Sequence, residues 1–351
     1  MFYQCQNCKK TWQYPLKKCP DCFLELKRMK SEKIKVVGIS KTNIPTIYHP
    51  ETPYFVLVLE DDNGNRWTHK SIKEYKIGDE FALKTVKDKN AVAVWRTKYD
   101  NLETIEKLVY LLGGIKIDES SKILILPTLL SPKHPYLAQN TSPQFLESMI
   151  KYLLQNNADS KNIKVASQSF GNFAIEASAQ KSRLLQVCLE SKVNVVDLSK
   201  TNFAKKEKNN ILFEISEQAF NNDIVINLPI MKLDPKVKIR GAAENVLKFL
   251  KKESYLSLKY LHDYQKLIAE IHGILPDYLT IAEAETIQKT TGHTALLNLA
   301  LASFNSFNLD RIFAEITMIE NLPERFKSIK IQDIQIVGRQ IKELKYDAER
   351  F

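Results

Sequence analysis

Apolar and polar residues alternate in short runs over residues 33–98, which is the pattern of half-buried β-strands. The runs cover residues 33–39, 54–59, 66–69, 80–85 and 91–96, and turn-forming segments rich in Asp, Asn and Gly separate most of them. Five short strands in about 65 residues are typical of a small closed barrel. We therefore predict an OB-type β-barrel over residues 33–98.

The apolar spacing becomes helical after residue 100. A helical run at 104–112 ends at Gly113-Gly114, and we predict a linker helix over residues 99–114. Beyond it, helical patterns at 173–192, 242–251 and 256–272, and one opened by Ser142-Pro143, alternate with strand-like runs at 122–127, 162–166, 193–198, 211–215, 223–229, 278–284, 294–303 and 334–338. This alternation predicts an α/β domain over residues 115–351 with a mostly parallel sheet covered by helices on both faces.

Four of the five cysteines lie in the first 22 residues as C-x2-C-x10-C-x2-C: Cys5, Cys8, Cys19 and Cys22. Each C-x2-C pair forms a tight turn whose two thiolates converge, so two pairs complete a tetrahedral metal shell. The pattern predicts a zinc ribbon over residues 1–32 that binds one structural zinc ion. An iron site of rubredoxin type and a metal-free or oxidised state are the alternatives. Cys188 stands alone in a helical pattern, as a small buried residue.

The net charge of +10 is concentrated at the N-terminus, where residues 1–36 contain nine Lys or Arg and three Asp or Glu. Such an excess is typical of nucleic-acid binding, but a zinc ion with four thiolates carries a charge of about −2. Lys9, Lys10, Lys17 and Lys18 are therefore also explained as local neutralisation of the cluster. The remaining chain is close to neutral.

Several function classes have no support in the sequence. Neither GxGxxG nor GxxxxGK[ST] occurs, and ten glycines are few for a loop that binds phosphate through repeated glycines. No run of 18 apolar residues and no secretion signal are present, so we expect a cytoplasmic protein without a membrane partner.

The N-terminal part, with its four cysteines, Pro53-Tyr54 before an apolar strand and Ile77-Gly78-Asp79, resembles the acyl-CoA-associated zinc-ribbon and OB-fold family, catalogued as domain of unknown function 35. The resemblance covers residues 1 to about 98. It implies a docking or acyl-thioester-handling unit that works with a thiolase-type or other acyl-CoA enzyme.

The remainder resembles the family catalogued as domain of unknown function 362. The matching stretches are Ile123 to Pro127, Thr141-Ser142-Pro143, Ile224 to Lys232, Gly241 to Asn245, and Leu301 to Ser303 through Leu309-Asp310. Members often carry ferredoxin-like cysteine clusters, but this chain has no cysteine after Cys188, so we expect no iron–sulfur cluster. The chain also has Leu126-Pro127-Thr128, Lys232-Leu233-Asp234 and Glu244-Asn245 where the family has Lys-Pro-Asn, Lys-x-His and Lys-Asn.

Ligands of an open α/β sheet bind beyond the carboxyl ends of its strands. The polar residues near predicted strand ends are Thr128, His134, Ser167, Ser169, Lys232, Asn245, Glu283 and His293. We predict that the loops carrying the first six converge on one pocket for a small anionic ligand, with Lys232 supplying charge and Ser167, Ser169 and Asn245 supplying neutral hydrogen bonds. A solvated loop lysine is the alternative for Lys232, and a domain that kept its fold and lost its site is the alternative for the pocket.

Glu283 and Glu285 would share one face of an extended segment, where they could serve a metal or a proton transfer or form an exposed strand edge. His293 lies in a polar loop. No Ser/His/Asp or Cys/His arrangement is convincing, so the sequence does not decide whether the protein is an enzyme.

Two hypotheses of function follow. In the first, the ribbon and barrel dock a partner or handle an acyl thioester beside an α/β domain that binds a small anion. In the second, the chain binds single-stranded nucleic acid through the OB face, stacking bases on aromatic residues, namely Trp12, Tyr14, Phe55, Trp67, Tyr75 and Trp95.

Overall fold

The computed structural model describes residues 2–13, 16, 18–29, 33–46, 49, 51–82, 85–98, 100–171 and 173–348. The chain divides into two compact units, residues 1–84 and residues 85–351. We predicted the last boundary of the N-terminal part at residue 98, so the structure divides the chain earlier.

The first unit contains two small antiparallel sheets. One has the strands β1 (Phe2–Cys5), β2 (Thr11–Trp12) and β3 (Leu26–Met29), with β1 in the centre. The other has β4 (Ile34–Thr42), β5 (Tyr54–Asp61) and β6 (Arg66–Ser71), with β5 in the centre. A small apolar cluster of Val36, Phe55, Leu57, Leu59 and Phe81 lies on this second sheet. It buries alternate residues of β5, as the period-2 pattern predicted.

The five strands predicted for the OB-type barrel do not form one sheet in the described part of the chain. The first three are β4, β5 and β6, whereas the fourth is reduced to a bridge between Lys35 and Glu80. The fifth is β7 (Val92–Arg96), which belongs to the large sheet of the second unit. Its residues Val92, Ala93 and Val94 are fully buried there, and burial within a large core outweighs pairing at the edge of a small sheet.

The second unit is built on a ten-stranded mixed sheet. Its strands are β7, β8 (Ile123–Pro127), β9 (Ile163–Ser167), β10 (Asn194–Asp197), β13 (Ile224–Leu228), β14 (Ile230–Asp234), β15 (Lys238–Arg240), β16 (Leu279–Gln288), β17 (Thr294–Ser303) and β18 (Ile336–Gly338), and a separate hairpin has β11 (Phe203–Lys208) and β12 (Ile211–Ser216). The main path runs β10-β9-β8-β13-β16-β17-β7-β18. It is parallel from β10 to β16 and antiparallel across β17, so the predicted α/β fold is confirmed.

Nine α-helices connect these strands in the described residues: α1 (Asn101–Leu111), α2 (Pro143–Gln155), α3 (Ile175–Lys181), α4 (Leu184–Glu190), α5 (Ala242–Asn245), α6 (Lys252–Leu261), α7 (Tyr264–His272), α8 (Ser306–Ile316) and α9 (Glu324–Lys327). The predicted linker helix is α1, and it belongs to the second unit. Helix α2 begins after Ser142, whose hydroxyl accepts the Phe145 N–H at 3.2 Å. No described helix is long and apolar enough to cross a membrane.

Pro229 separates β13 from β14, and both strands pair with β16 in parallel. The Pro229 carbonyl accepts the Glu283 N–H at 2.8 Å, which keeps the chain against β16 through the break. Proline removes one donor from a strand but leaves its carbonyl free to pair. Lys232 therefore lies in a second strand, whereas we predicted it in the loop that follows the first.

Candidate functional site

The four N-terminal cysteines lie close together. Their sulfur atoms are all within 4.8 Å of one another, and Cys8 Sγ is 3.7 Å from Cys19 Sγ. Two thiolates on one tetrahedral zinc ion, each at about 2.3 Å, are separated by about 3.8 Å. Four sulfur donors at this spacing fit a metal ion.

Two turns of the same design position these sulfurs. In each, the N–H of the residue four positions after the first cysteine donates to that cysteine's carbonyl: Lys9 to Cys5 at 3.0 Å and Phe23 to Cys19 at 2.9 Å. Lys9 and Phe23 are both in the left-handed region, with φ near 60°. Asn7 Nδ2 also donates to Cys22 Sγ at 3.3 Å.

One of the lysines near the cluster has its charge paired locally. Lys10 forms an ion pair with Asp21 at 2.6 Å and is exposed. Lys17 lies outside the described residues, as does Tyr14 of the nucleic-acid hypothesis.

A cavity of about 160 Å³ opens in the second unit beside β8, β14 and α5. Its lining combines cationic, polar and aromatic side chains: Thr128, Leu130, Phe170, Ile230, Lys232, Arg240, Gly241, Glu244, Asn245, Leu247, Lys248, Tyr255 and Tyr264. Phe170 and Tyr255 stack on one wall with ring centroids 3.9 Å apart. A single water needs about 10–15 Å³, so the cavity has room for a small molecule.

Lys232 enters this cavity from β14 and is 5 % exposed. Its Nζ donates to the Gln139 carbonyl at 3.1 Å, and no ion pair of Lys232 occurs among the described residues. Burial lowers the pKa of Lys232 to about 8, with Glu244 acting in the opposite direction.

Lys248 enters the same cavity and is 4 % exposed. Its Nζ donates to the carbonyls of Leu129 at 2.7 Å and Gln168 at 3.0 Å. The Gln168 side chain in turn donates to the Lys248 carbonyl, so the two residues hold each other. Burial and the neighbouring charge of Lys232 lower the pKa of Lys248 to about 7.

The third cation of the cavity, Arg240, is paired with carboxylates. It donates to Asp234 at 2.7 Å and to Glu244 at 2.5 Å. Tyr264 also donates to Glu244, at 2.5 Å. The second carboxylate oxygen of Glu244, Oε2, is buried without a hydrogen-bond partner. These pairings use the charge of Arg240, and neither lysine has an ion-pair partner among the described residues.

A buried hydrogen-bond chain supports the cavity floor. Thr128 donates to Asn245 Oδ1 at 2.9 Å, and Asn245 Nδ2 donates to the Leu126 carbonyl and to Asn227 Oδ1. Asn227 continues the chain to Thr280. All donors and acceptors of the two amides have partners, which fixes their orientation.

Asp310 holds the start of α5 through hydrogen bonds. Both its oxygens accept N–H groups at the start of the helix, from Ala242 at 2.8 Å and Ala243 at 3.0 Å. The fit is close, because a Cβ on Gly241 would lie 2.5 Å from Met231 Cε and 2.8 Å from Asp310 Oδ1. Burial raises the pKa of Asp310 to about 6.

The structure brings three of the predicted site residues to the cavity: Thr128, Lys232 and Asn245. The other three members of the predicted pocket are elsewhere. Ser167 is buried at a separate apolar void of about 10 Å³, Ser169 accepts the Gly171 N–H, and His134 accepts the N–H of Tyr136 at the start of a short turn. The loops after β8 and β9 both reach the cavity, through Leu130 and Phe170, but the side chains of His134, Ser167 and Ser169 do not line it.

Glu283 and His293 also lie outside the cavity lining. Glu283 is buried in β16 and accepts the Ser142 N–H at 2.8 Å, so it supports the start of α2. Burial raises the pKa of Glu283 to about 7. His293 is exposed in the turn between β16 and β17.

The aromatic residues of the nucleic-acid hypothesis are divided between the two units. Phe55 is buried, and Tyr75 and Trp67 pack against the core of the second sheet of the first unit. Trp95 lies in β7 of the second unit, where Arg339 covers its ring at 5.0 Å. Phe55 is the one buried ring among those described, whereas Trp12, Trp67, Tyr75 and Trp95 are half-buried.

Sequence reasoning missed Lys248, Arg240 and Tyr264. The signal for Lys248 was present: it is a single lysine within the apolar run Val246-Leu247-Lys248-Phe249-Leu250. A lysine at a core position of a helical pattern is rarely buried without a specific role. Arg240 and Tyr264 had no comparable signal. Arg240 lies among polar residues close to its partners Asp234 and Glu244, and Tyr264 is 20 residues from Glu244.

A search of the curated proteins finds no match. Among solved structures, the lactate racemase apoprotein of Thermoanaerobacterium thermosaccharolyticum is similar at 11 % identity and a TM-score of 0.40, covering 65 % of this chain and 57 % of that one. A protein of Thermotoga maritima is similar at 11 % identity and a TM-score of 0.37, covering 57 % of this chain and 55 % of that one. This chain therefore spans just over half the length of each.

The family comparison matches the part of the chain that contains the cavity. The model of the family described as a domain of unknown function, DUF362, matches residues 123–315. This range is more than half of the chain and includes every residue of the cavity lining. The chain therefore belongs to the DUF362 family.

Proposed function

We propose that the second unit binds a small anion in the cavity between Lys232 and Lys248. The observation that carries this proposal is that both ammonium groups are buried and contact only main-chain carbonyls in the described structure. A buried cation without a counter-ion costs several kcal/mol, and the lowered pKa values of both lysines express that cost. A bound carboxylate or phosphate removes the penalty.

The charge balance of the cavity fits an anion with few charges. Three cationic side chains, Lys232, Lys248 and Arg240, line the cavity, and Arg240 pairs with two carboxylates: Glu244, which also lines it, and Asp234. One positive charge is therefore left when both lysines are protonated. The partner-free Oε2 of Glu244 accepts a hydrogen bond from a hydroxyl or amine of the same ligand.

A thermal-shift screen tests this proposal. Acetate, oxalate, pyruvate and inorganic phosphate are added to the wild type, to Lys232→Ala and to Lys161→Ala, which removes an exposed lysine instead. At 100 times its dissociation constant a ligand stabilises by about 2.7 kcal/mol, or a melting shift of about 5–10 °C for a unit of this size. We expect that shift in the wild type and in Lys161→Ala but not in Lys232→Ala. Equal shifts in all three proteins, or none, would contradict the proposal.

We propose that the metal of the four-cysteine site is zinc. Four thiolates at tetrahedral spacing suit a structural zinc ion, and a ribbon this small has too little core to fold without one. Elemental analysis of freshly purified protein is expected to give one zinc per chain. Iron in place of zinc, with the visible absorption of an iron–thiolate centre, would assign the site to the rubredoxin type.

We also propose that the first unit is a docking unit for an acyl-CoA enzyme of thiolase type. Its support is the resemblance of the cysteine ribbon to the acyl-CoA-associated zinc-ribbon and OB-fold family. In addition, Phe23 and Leu24, which follow Cys22 directly, are 73 % and 51 % exposed. Binding of single-stranded oligonucleotides at increasing salt separates this role from the nucleic-acid hypothesis. Phosphate contacts give a steep loss of affinity with salt, and a docking unit gives no such binding.

A further inference from the structure

The two hydrogen-bond acceptors around Lys248 match the two N–H bonds of a neutral amine. The Lys248 Nζ has two hydrogen-bond acceptors, the carbonyls of Leu129 and Gln168, and no carboxylate forms an ion pair with it in the described chain. A neutral amine has two N–H bonds and one lone pair, so these two carbonyls use both N–H bonds and leave the lone pair.

The surroundings of Lys248 favour loss of its proton. The side chain is buried beside a second lysine, and both effects lower its pKa to about 7. Removal of a lysine from water next to another cation is a general way to produce a nucleophilic amine at neutral pH. The Gln168 side chain donates to the carbonyls of both Lys248 and Leu250, which holds the backbone that carries the amine.

We propose that Lys248 forms an imine with the carbonyl carbon of a small oxo acid whose carboxylate is held by Lys232. This inference rests on the proposed anion site and adds a covalent step to it. Lys232 contacts one carbonyl, that of Gln139, and keeps donors for a carboxylate. The cavity volume of about 160 Å³ suits an oxo acid of a few heavy atoms.

The step is balanced without an oxidant or reductant. The Lys248 nitrogen attacks the carbonyl carbon, and the carbonyl oxygen leaves as water with the two hydrogens of the amine. Glu244, which lines the same cavity and has one oxygen without a partner, is placed to carry a proton between nitrogen and oxygen during this transfer.

Borohydride trapping tests the imine. The full-length protein is incubated with pyruvate or with the smaller glyoxylate near neutral pH, reduced with borohydride and measured as intact mass. Reduction converts the imine into a secondary amine, so pyruvate adds its own mass less one oxygen atom. We expect one addition per chain, mapped by peptide sequencing to Lys248. The yield should rise as pH passes the pKa of the Lys248 amine and fall again once Lys232, which holds the carboxylate, loses its proton.

Two variants control the assignment. Lys248→Arg keeps a cation but not an imine-forming amine and is expected to lose the addition. Lys161→Met removes an exposed lysine and is expected to keep it. If Lys248→Arg does not fold, as judged by circular dichroism, the peptide map of the wild type alone assigns the site.

The outcomes separate this inference from the proposed function. Stabilisation by oxalate without any trapped pyruvate or glyoxylate would overturn the imine and leave the anion site. Trapping spread over exposed lysines would overturn it as well. Absence of both stabilisation and trapping would remove the anion site too.

Discussion

Replacement of Lys248 by methionine should change how stability depends on pH. The folded protein lowers the pKa of Lys248 from 10.5 to about 7, so between these values the unfolded chain binds the proton more strongly. The contribution of Lys248 to the stability of the wild type then rises with pH across this window, and below it the full penalty applies. Methionine has similar length and no charge, so the variant loses this pH-dependent term.

The magnitude follows from the pKa difference. A pKa difference of one corresponds to about 1.4 kcal/mol. The lowered pKa of Lys248 therefore costs the folded wild type about 4 kcal/mol near neutral pH and about half of that near pH 9. The variant loses two hydrogen bonds to main-chain carbonyls, worth about 1 kcal/mol each plus some cost of leaving the carbonyls unpaired. Near neutral pH it should therefore be at least as stable as the wild type, and this advantage should shrink by about 2 kcal/mol by pH 9.

Urea denaturation of both proteins near pH 7 and pH 9 measures this difference. Titrating groups that do not interact with Lys248 contribute equally to both proteins and cancel when the two are subtracted, and Lys161→Met controls for the loss of any lysine. Loss of the Lys248 charge also raises the pKa of the neighbouring Lys232, which adds to the pH dependence that the variant loses. Parallel pH profiles for wild type and Lys248→Met would refute the reasoning, because they would mean that Lys248 keeps an ordinary pKa in the folded protein.

Three further predictions test other parts of the structure. Cys19→Ser should lower bound metal well below one ion per chain by elemental analysis and unfold the cysteine ribbon, seen as faster proteolysis of the first unit. Gly241→Ala should destabilise the second unit by about 1–3 kcal/mol in urea, because its Cβ would lie 2.5 Å from Met231 Cε, whereas Gly171→Ala has no neighbour closer than 3.6 Å and should be nearly neutral. Glu283→Gln keeps an acceptor for the N–H that begins α2 and removes a carboxyl whose pKa is raised from 4.5 to about 7. The wild type should lose about 2–3 kcal/mol relative to this variant as pH rises from about 4 to 8, and equal slopes would contradict the burial of Glu283.

The buried strands of the second unit were predictable because they are short apolar runs bounded by turn residues. The predicted runs 122–127, 162–166 and 223–229 correspond to β8, β9 and β13 within one or two residues. The pattern failed where a break depends on one residue. Arg183, in the left-handed region with φ 63°, divides the predicted helix 173–192 into α3 and α4. Local hydrophobic spacing does not report such a break.

The site was predictable only in part. Lys232, Thr128 and Asn245 could be found because each follows an apolar strand or a short motif near a strand end. Lys248 could not be paired with Lys232 from sequence, because only the folded chain brings both side chains to one cavity. The sequence also did not show which sheet contains the strand predicted at 91–96. An alternating run indicates that a strand is half-buried, but not which sheet buries it.

The central claim is that two buried lysines bind a small anion, and calorimetry of oxalate binding tests it most directly. Oxalate keeps its charge near neutral pH, so any proton taken up on binding is bound by the protein and not by oxalate. Titration in buffers of different ionisation enthalpy measures that uptake. We predict binding with uptake of a fraction of a proton by the wild type, because a bound anion restores the charged forms of Lys232 and Lys248. Uptake should fall in Lys248→Met, and binding should be lost in Lys232→Met. Oxalate binding that is unaffected by Lys232→Met, binding without proton uptake, or no binding at all would contradict the account.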